Sequence, residues 1–391
     1  MDHLRTAATH TTVTLALPAK WLNTYSAFIT SNASAVGQVE GALRSLTYIL
    51  PGRFSQTEIT SESLNSGVQL LSLYHDNLLS RALAHSLQKR HETPHNRYTR
   101  YFCQKSGFYR RTAVGLQVVQ YTELLLEMLA KRRGEKTRWR VVVVLEAVKA
   151  MCRLLLLRVT NARPLLSPPL PERAVVVEEE KSGSEDESAP TPPSSSSDSE
   201  NWSMPRTSLT LPPLPSSGDI SSYLLSKVLT ADDIKPPKAL LHRVDGLGSA
   251  AEVLYILRPV IYAAAMAYYC QQQQQQNPTE RRRRSKSDWR PWLIGLSIEY
   301  GARQLAKRDL EMRRPGGKRG LTQLERDELK KRGWALGWWA MRGAFYENVT
   351  RGVITGVTSR LKDKPLLDMV GNIVEDYAYL WDEHYFATAT M

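Results

Sequence analysis

Two runs of apolar residues, Val141 to Leu157 and Val253 to Cys270, stand out from an otherwise mixed chain. Each approaches the roughly 20 apolar residues that a membrane-crossing helix needs. The first, VVVVLEAVKAMCRLLLL, carries Glu146, Lys149 and Arg153, which would cost roughly 7 to 10 kcal/mol together if they faced lipid. Spacings of three and four place those residues on one stripe of a helix and leave the rest of the circumference to Val and Leu. The pattern therefore predicts a one-sided helix, either packed in a bundle or lying in a membrane interface. The second run, VLYILRPVIYAAAMAYYC, holds Arg258 followed by Pro259. The proline frees a backbone carbonyl, so the cleanly apolar part starts there and is short for a span.

Around these runs the pattern predicts helices. They cover Trp21 to Ile29, Ala35 to Leu50 after a cap at Asn32 to Ser34, and Ser63 to Gln88 beyond the Pro51-Gly52 stop. Tyr98 to Phe108 is basic and aromatic, and Ala113 to Lys131 is helical with a Leu-rich face, followed by a helix over Arg138 to Arg158. Later helices cover Trp289 to Leu305, then Thr322 to Arg332 running into Trp334 to Val349, and finally Asp363 to Tyr385. Trp334, Trp338, Met341, Phe345 and Val349 recur at threes and fours, which predicts one apolar helical face. With no alternating strand of useful length, the fold class is all-α: a membrane-associated helical bundle.

From 162 to 218 the composition turns to Pro, Ser and acidic runs such as VVVEEEKSGSEDES, with too little apolar surface to order itself. This predicts a disordered acidic linker between a helical half at 1–161 and another at 219–391. A shorter Gln/Arg loop at 271–288 interrupts the second half. The 391 residues carry a formal net charge of +13 with 42% hydrophobic residues, so the folded parts are more basic than the total suggests. Tyr and Trp outnumber Phe (17 and 9 against 6), which suits boundaries between apolar and wet surroundings or ordinary core edges. Cys103, Cys152 and Cys270 are far apart, form no metal or disulfide pattern, and fit a reducing compartment. The first residues lack an apolar signal core and the last three are Ala-Thr-Met rather than Ser-Lys-Leu, so internal segments are expected to direct any organelle targeting.

The chemical motifs are weak. His91-Glu92-Thr93-Pro94-His95 spells H-E-x-x-H, yet Pro94 falls where the helix interior must be and denies the two imidazoles a common face. His75 and Asp76 are adjacent in a helical run and point in different directions, which favours separate polar contacts over a dyad. Gly316-Gly317-Lys318 lacks the rest of a P-loop. The cluster Arg281, Arg282, Arg283 and Arg284 follows an apolar segment, where anionic lipid head groups are the favoured partner, ahead of a solvated loop and of nucleic acid. The sequons at Asn32, Asn201 and Asn348 matter only in a secretory lumen.

Five stretches, in order, resemble the peroxin-16 family of peroxisomal membrane proteins: YSAFITSNASAVGQVEGALRSLTYILPGRF from Tyr25, LLSLYHD from Leu70, VLYILRPVIYA from Val253, WRPWLIGLSIE from Trp289, and ELKKRGWALGWWAMRGAFYE from Glu328. In the last, Met341 to Tyr346 stands where the family favours an Arg-Ser-Pro-Phe-Tyr run. The resemblance implies a protein without enzymatic activity or cofactor. Such a protein helps peroxisomal membrane proteins reach and insert into their membrane through the docking factor peroxin-3 and the peroxin-19 chaperone, and some members pass through the endoplasmic reticulum. Neither nucleic acid nor a small-molecule substrate is expected. Candidate membrane or partner contacts are Arg258, Pro259, Tyr262, Trp289, Trp292, Trp334, Trp338, Met341, Phe345 and Arg281 to Arg284. The interrupted runs predict attachment from one side of the peroxisomal membrane, with an integral form as the alternative. The rival functions are a metal-dependent hydrolase using HETPH and a basic adaptor for nucleic acid.

Overall fold

Local capping chemistry sets where the helices begin and end. Thr93 accepts the backbone N–H of Asn96 at 3.3 Å, and Pro94 occupies the first helical position, where a missing N–H costs nothing, so the helix Pro94–Lys105 starts there. Ser106 then closes that helix and opens the next, Gly107–Arg132: its backbone is extended, and its hydroxyl accepts the Tyr109 N–H at 3.2 Å. Gly134, at φ +117°, supplies the left-handed residue that turns this helix into Glu135–Val159. Thr322 and Glu325 form a reciprocal capping box at the start of the helix Gln323–Gly337.

The computed structural model describes residues 21, 23–49, 57–85, 93–173, 232, 235–274, 289–313, 320–361 and isolated positions from 369 to 378. Every regular element among them is helical. After a helical stretch at 23–31 come α1 (Ala33–Ile49), α2 (Thr57–His85), α3 (Pro94–Lys105), α4 (Gly107–Arg132) and α5 (Glu135–Val159). A short 3-10 turn at Pro237–Leu240 leads to α6 (Leu247–Gln274), α7 (Arg290–Arg313) and α8 (Gln323–Gly337). Beyond it lie a 3-10 turn at Trp338–Met341, a helical turn at Gly343–Phe345, a π-turn at Tyr346–Thr350, and α9 (Arg351–Leu361). The described residues within 1–173 and 237–391 form one compact unit.

Within that unit, α4 and α5 pack as a hairpin, α6 runs antiparallel to α5, and α7 packs along α6. The α5–α6 pairing is visible in the core. Trp139 and Val142 meet Ala263 and Met266 at one end, and Ala150 and Leu157 meet Ile256 and Val253 at the other. The largest core cluster joins Tyr98, Phe102, Tyr109 and Leu156 to Leu240 and Leu241, so residues after 237 complete the core begun before 173. Full burial of such a side chain stabilises by about 1.5–3 kcal/mol.

Two boundaries differ from the sequence reading. Residues 162–173, expected as the start of the linker, are held against the fold. Leu166 is buried, the Glu172 backbone exchanges hydrogen bonds with the Asn96 side chain at 2.8 and 3.0 Å, and Arg173 reaches Asp76 at 2.6 Å. Composition failed there because short Pro-rich segments can lie on a core when their carbonyls find donors, as Pro169 does in the Tyr109 hydroxyl at 3.0 Å. The helix expected unbroken through Trp334 to Val349 instead leaves α-geometry after Gly337. The remaining linker, 174–218, lies outside the described residues. So do Gln275 to Asp288 of the Gln/Arg loop, Arg281 to Arg284 included, and most of the last expected helix.

Candidate membrane interface

Helix α5 is turned inside out relative to a soluble helix. Its charged residues Glu146 and Lys149 are buried, and Lys149 Nζ lies 2.5 Å from both Glu146 and Glu123 of α4. Arg138 is equally enclosed and binds Glu127 of α4 at 2.8 Å. Burial pushes the Glu123 carboxyl above its usual range, although the Lys149 ammonium pulls the other way. On the opposite side, Arg140, Val144, Ala147, Met151, Leu155 and Arg158 follow one another at threes and fours, and all are exposed. An apolar stripe is therefore bounded by an arginine at each end, about 27 Å apart at 1.5 Å per residue.

Helix α6 hides its charges in the same way, with more distant partners. Arg258 donates to Glu299 of α7, which also accepts from Arg303 at 2.8 Å. Burial acts to raise the Glu299 carboxyl, but the two guanidiniums outweigh it and hold it below the usual range. Arg332 of α8 grips Glu252 with two bonds of 2.6 and 3.1 Å, and the Tyr255 ring lies between the guanidiniums of Arg332 (4.5 Å) and Arg258 (4.8 Å). Among the described residues one helix, Leu247–Gln272, is long and apolar enough to cross a membrane.

The predicted contact residues separate into two sets. Arg258, Pro259 and Tyr262, expected on a contact surface, are buried. Tyr262 stands edge-on to Trp339 at 5.4 Å. Trp292 stacks on Phe345 at 5.3 Å and donates its indole N–H to the Trp339 carbonyl at 2.9 Å, with Trp289 edge-on to Trp292 at 5.6 Å. These rings form one aromatic cluster between α6, α7 and the turns after α8. Trp334, at 83% exposure, and Trp338, at 49%, face outward, and Met341 is half-buried.

The helical periodicity singled out Trp338 and passed over Trp339, the ring that fills the cluster. The 3-10 geometry after Gly337 advances each residue by about 120° instead of 100°, which rotates Trp339 inward. Gly295 leaves room for it, since a Cβ there would come within 2.2 Å of the Trp339 ring. Glu252, Glu299 and Arg332 were also missed; for the two glutamates the signal available was a lone carboxylate in an apolar stretch, whereas Arg332 closes a run of charges that gives it no distinct signal.

The remaining motifs disperse. His75 is buried between the Glu40 carboxylate at 2.5 Å and the Tyr25 hydroxyl at 2.6 Å, while its neighbour Asp76 turns to Arg173, which also reaches Glu40 at 3.2 Å, so the two sit in one ion-pair network and form no dyad. In H-E-x-x-H, His95 Nε2 bonds the Pro168 carbonyl at 2.9 Å, and His91 and Glu92 lie outside the described residues. Burial pushes the Cys103 thiol up to about 11, which keeps it protonated at neutral pH.

The described elements are all helical, with paired charges inside and an apolar stripe of α5 outside. The peroxisomal membrane protein (Pex16) family model matches residues 23–383, and the chain belongs to that family. It is 21% identical over 335 residues to the peroxisomal membrane protein PEX16 of Schizosaccharomyces pombe, covering 85% of this chain and 87% of that protein. No solved structure matches it.

Proposed function

We propose that this chain is a non-enzymatic peroxisome biogenesis factor that recruits peroxisomal membrane proteins or helps insert them, working with peroxin-3 and the peroxin-19 chaperone. It is held to the peroxisomal membrane from one side, with the endoplasmic reticulum as a second location. The observation that carries the attachment is the inversion of α5: its charges are neutralised inside the bundle, and its exposed face is an apolar stripe between Arg140 and Arg158. Such a face gains by entering the acyl boundary while the arginines reach the head groups. Trp334 and Trp338 offer further interfacial rings, and Arg281 to Arg284 supply charge for anionic lipid.

Two measurements test this reading. Cells lacking the chain should leave peroxisomal matrix enzymes mislocalised, and normal import would defeat the role. High-pH carbonate should release most of the protein from membranes. Full retention in the pellet, with unequal protease access at the two ends of the chain, would make α6 a true span instead.

A further inference from the structure

Between α5 and α6 runs an open groove of about 670 Å³, within the range of roughly 300–1,000 Å³ typical of small-molecule clefts. Its walls are apolar: Ala147, Ala150, Met151 and Leu154 from α5, with Leu257 and Val260 from α6. Its character changes at one end, where Arg158, Asn161, Arg243 and Ser249 line it. The chain is bent sharply there, with Asn161 and Ala162 both at positive φ, and the Val244 N–H bonds the Ala162 carbonyl at 2.7 Å. That bond holds the segments bearing Arg158 and Arg243 together. Arg243 pairs with Asp245 at 3.0 Å, but Asp245 also has Arg313 at 3.5 Å, so Arg243 can turn to another anion without stranding the carboxylate.

A groove with a long apolar wall and two cations at one end is complementary to a molecule with an aliphatic tail and an anionic head. We infer that the groove holds one acyl chain of an anionic membrane phospholipid, with the phosphate at the Arg158–Arg243 end. The inference rests on the membrane attachment proposed above and gives it a specific ligand. It also explains why the α5 stripe is both exposed and hollow: the stripe enters the acyl boundary, and the groove seats one chain drawn from it. A phosphate next to two arginines gains charge-assisted hydrogen bonds that a neutral alcohol head cannot match.

The test uses the full chain purified in detergent after exposure to vesicles of phosphatidylcholine with or without phosphatidylserine. Native mass spectrometry should find one phosphatidylserine retained per chain. Arg158→Gln with Arg243→Gln should weaken that retention roughly 30-fold, the loss of two basic contacts at about 1 kcal/mol each. Ala147→Trp adds a ring on an exposed helix position at the groove wall and should obstruct the groove, abolishing retention while circular dichroism stays unchanged. Retention of phosphatidylcholine and phosphatidylserine alike, or full retention by Ala147→Trp, would overturn the inference. So would crosslinking of a photoreactive residue at Met151 in native membranes to protein and not to lipid. A chain that keeps its lipid in detergent yet fails to sediment with vesicles would uphold the groove and sink the attachment reading instead.

Discussion

The two apolar runs solve the same problem in different ways. Both α5 and α6 carry charges that a membrane would reject, and both bury them. In α5 the partners are local: Lys149 meets Glu146 one turn away and Glu123 on the adjoining hairpin helix. In α6 they come from far along the chain, Glu299 for Arg258 and Arg332 for Glu252. The lesson is that α5 can form its neutral face within the α4–α5 hairpin, whereas α6 depends on α7 and α8 being docked. Once docked, α6 is the more apolar helix by composition, and it alone passes for a span among the described residues.

The largest effect that would break this comparison is expected from Glu299→Ala. It leaves Arg258 buried without its carboxylate, a loss of roughly 3–5 kcal/mol. Glu123→Ala should cost less, about 1.5–3 kcal/mol, because Glu146 still holds Lys149. Denaturant unfolding of the two variants side by side checks the order, and equal losses would erase the contrast between local and distant pairing. Gly295→Ala should follow at about 1–3 kcal/mol, because its methyl group collides with the Trp339 ring. The accompanying loss of ordered aromatic packing can be read in the near-ultraviolet circular dichroism.

Acid should separate the two pairings. The Glu299 carboxyl is held below its unfolded value, so its contribution is complete above the unfolded value of about 4.3 and is lost as pH falls through the folded one. Glu123 is shifted the other way, so its contribution is present at low pH and lost as pH rises through its folded value. Lowering the pH below about 4 should therefore weaken the α6–α7 contact, while the contribution of Glu123 to the α4–α5 hairpin is already in place there. Hydrogen exchange followed across that range should show α7 opening first, and Glu299→Gln should flatten its pH dependence.

The smallest change in stability is expected from Val144→Asp on the exposed stripe, within about 0.5 kcal/mol. Its effect should appear in vesicle sedimentation, which is expected to fall markedly. Unaltered sedimentation would show that the outer face of α5 does not meet lipid.

Much of this architecture is legible along the chain. The spacing of Glu146, Lys149 and Arg153 places them on one side of a helix, and the start at Thr322 follows from its capping pattern. The five ordered motifs lead to the family because each is local. Less legible is any feature that depends on what lies opposite. The arginine before Pro259 looks like a surface residue until Glu299 is placed against it, and the Pro-rich stretch from 162 looks unstructured until Asn96 and Tyr109 supply its hydrogen bonds. Trp338 and Trp339 exchange roles because a helix that tightens after Gly337 changes its angular step.

By itself, then, the sequence determined the helical class, the one-sidedness of α5 and the family, since periodicity, capping and motif order are properties of neighbours along the chain. The tertiary structure alone decided which side of each apolar helix faces outward and which tryptophan is core. Burying a charge is tolerable only when a specific opposite charge, often distant in sequence, is brought within hydrogen-bonding reach.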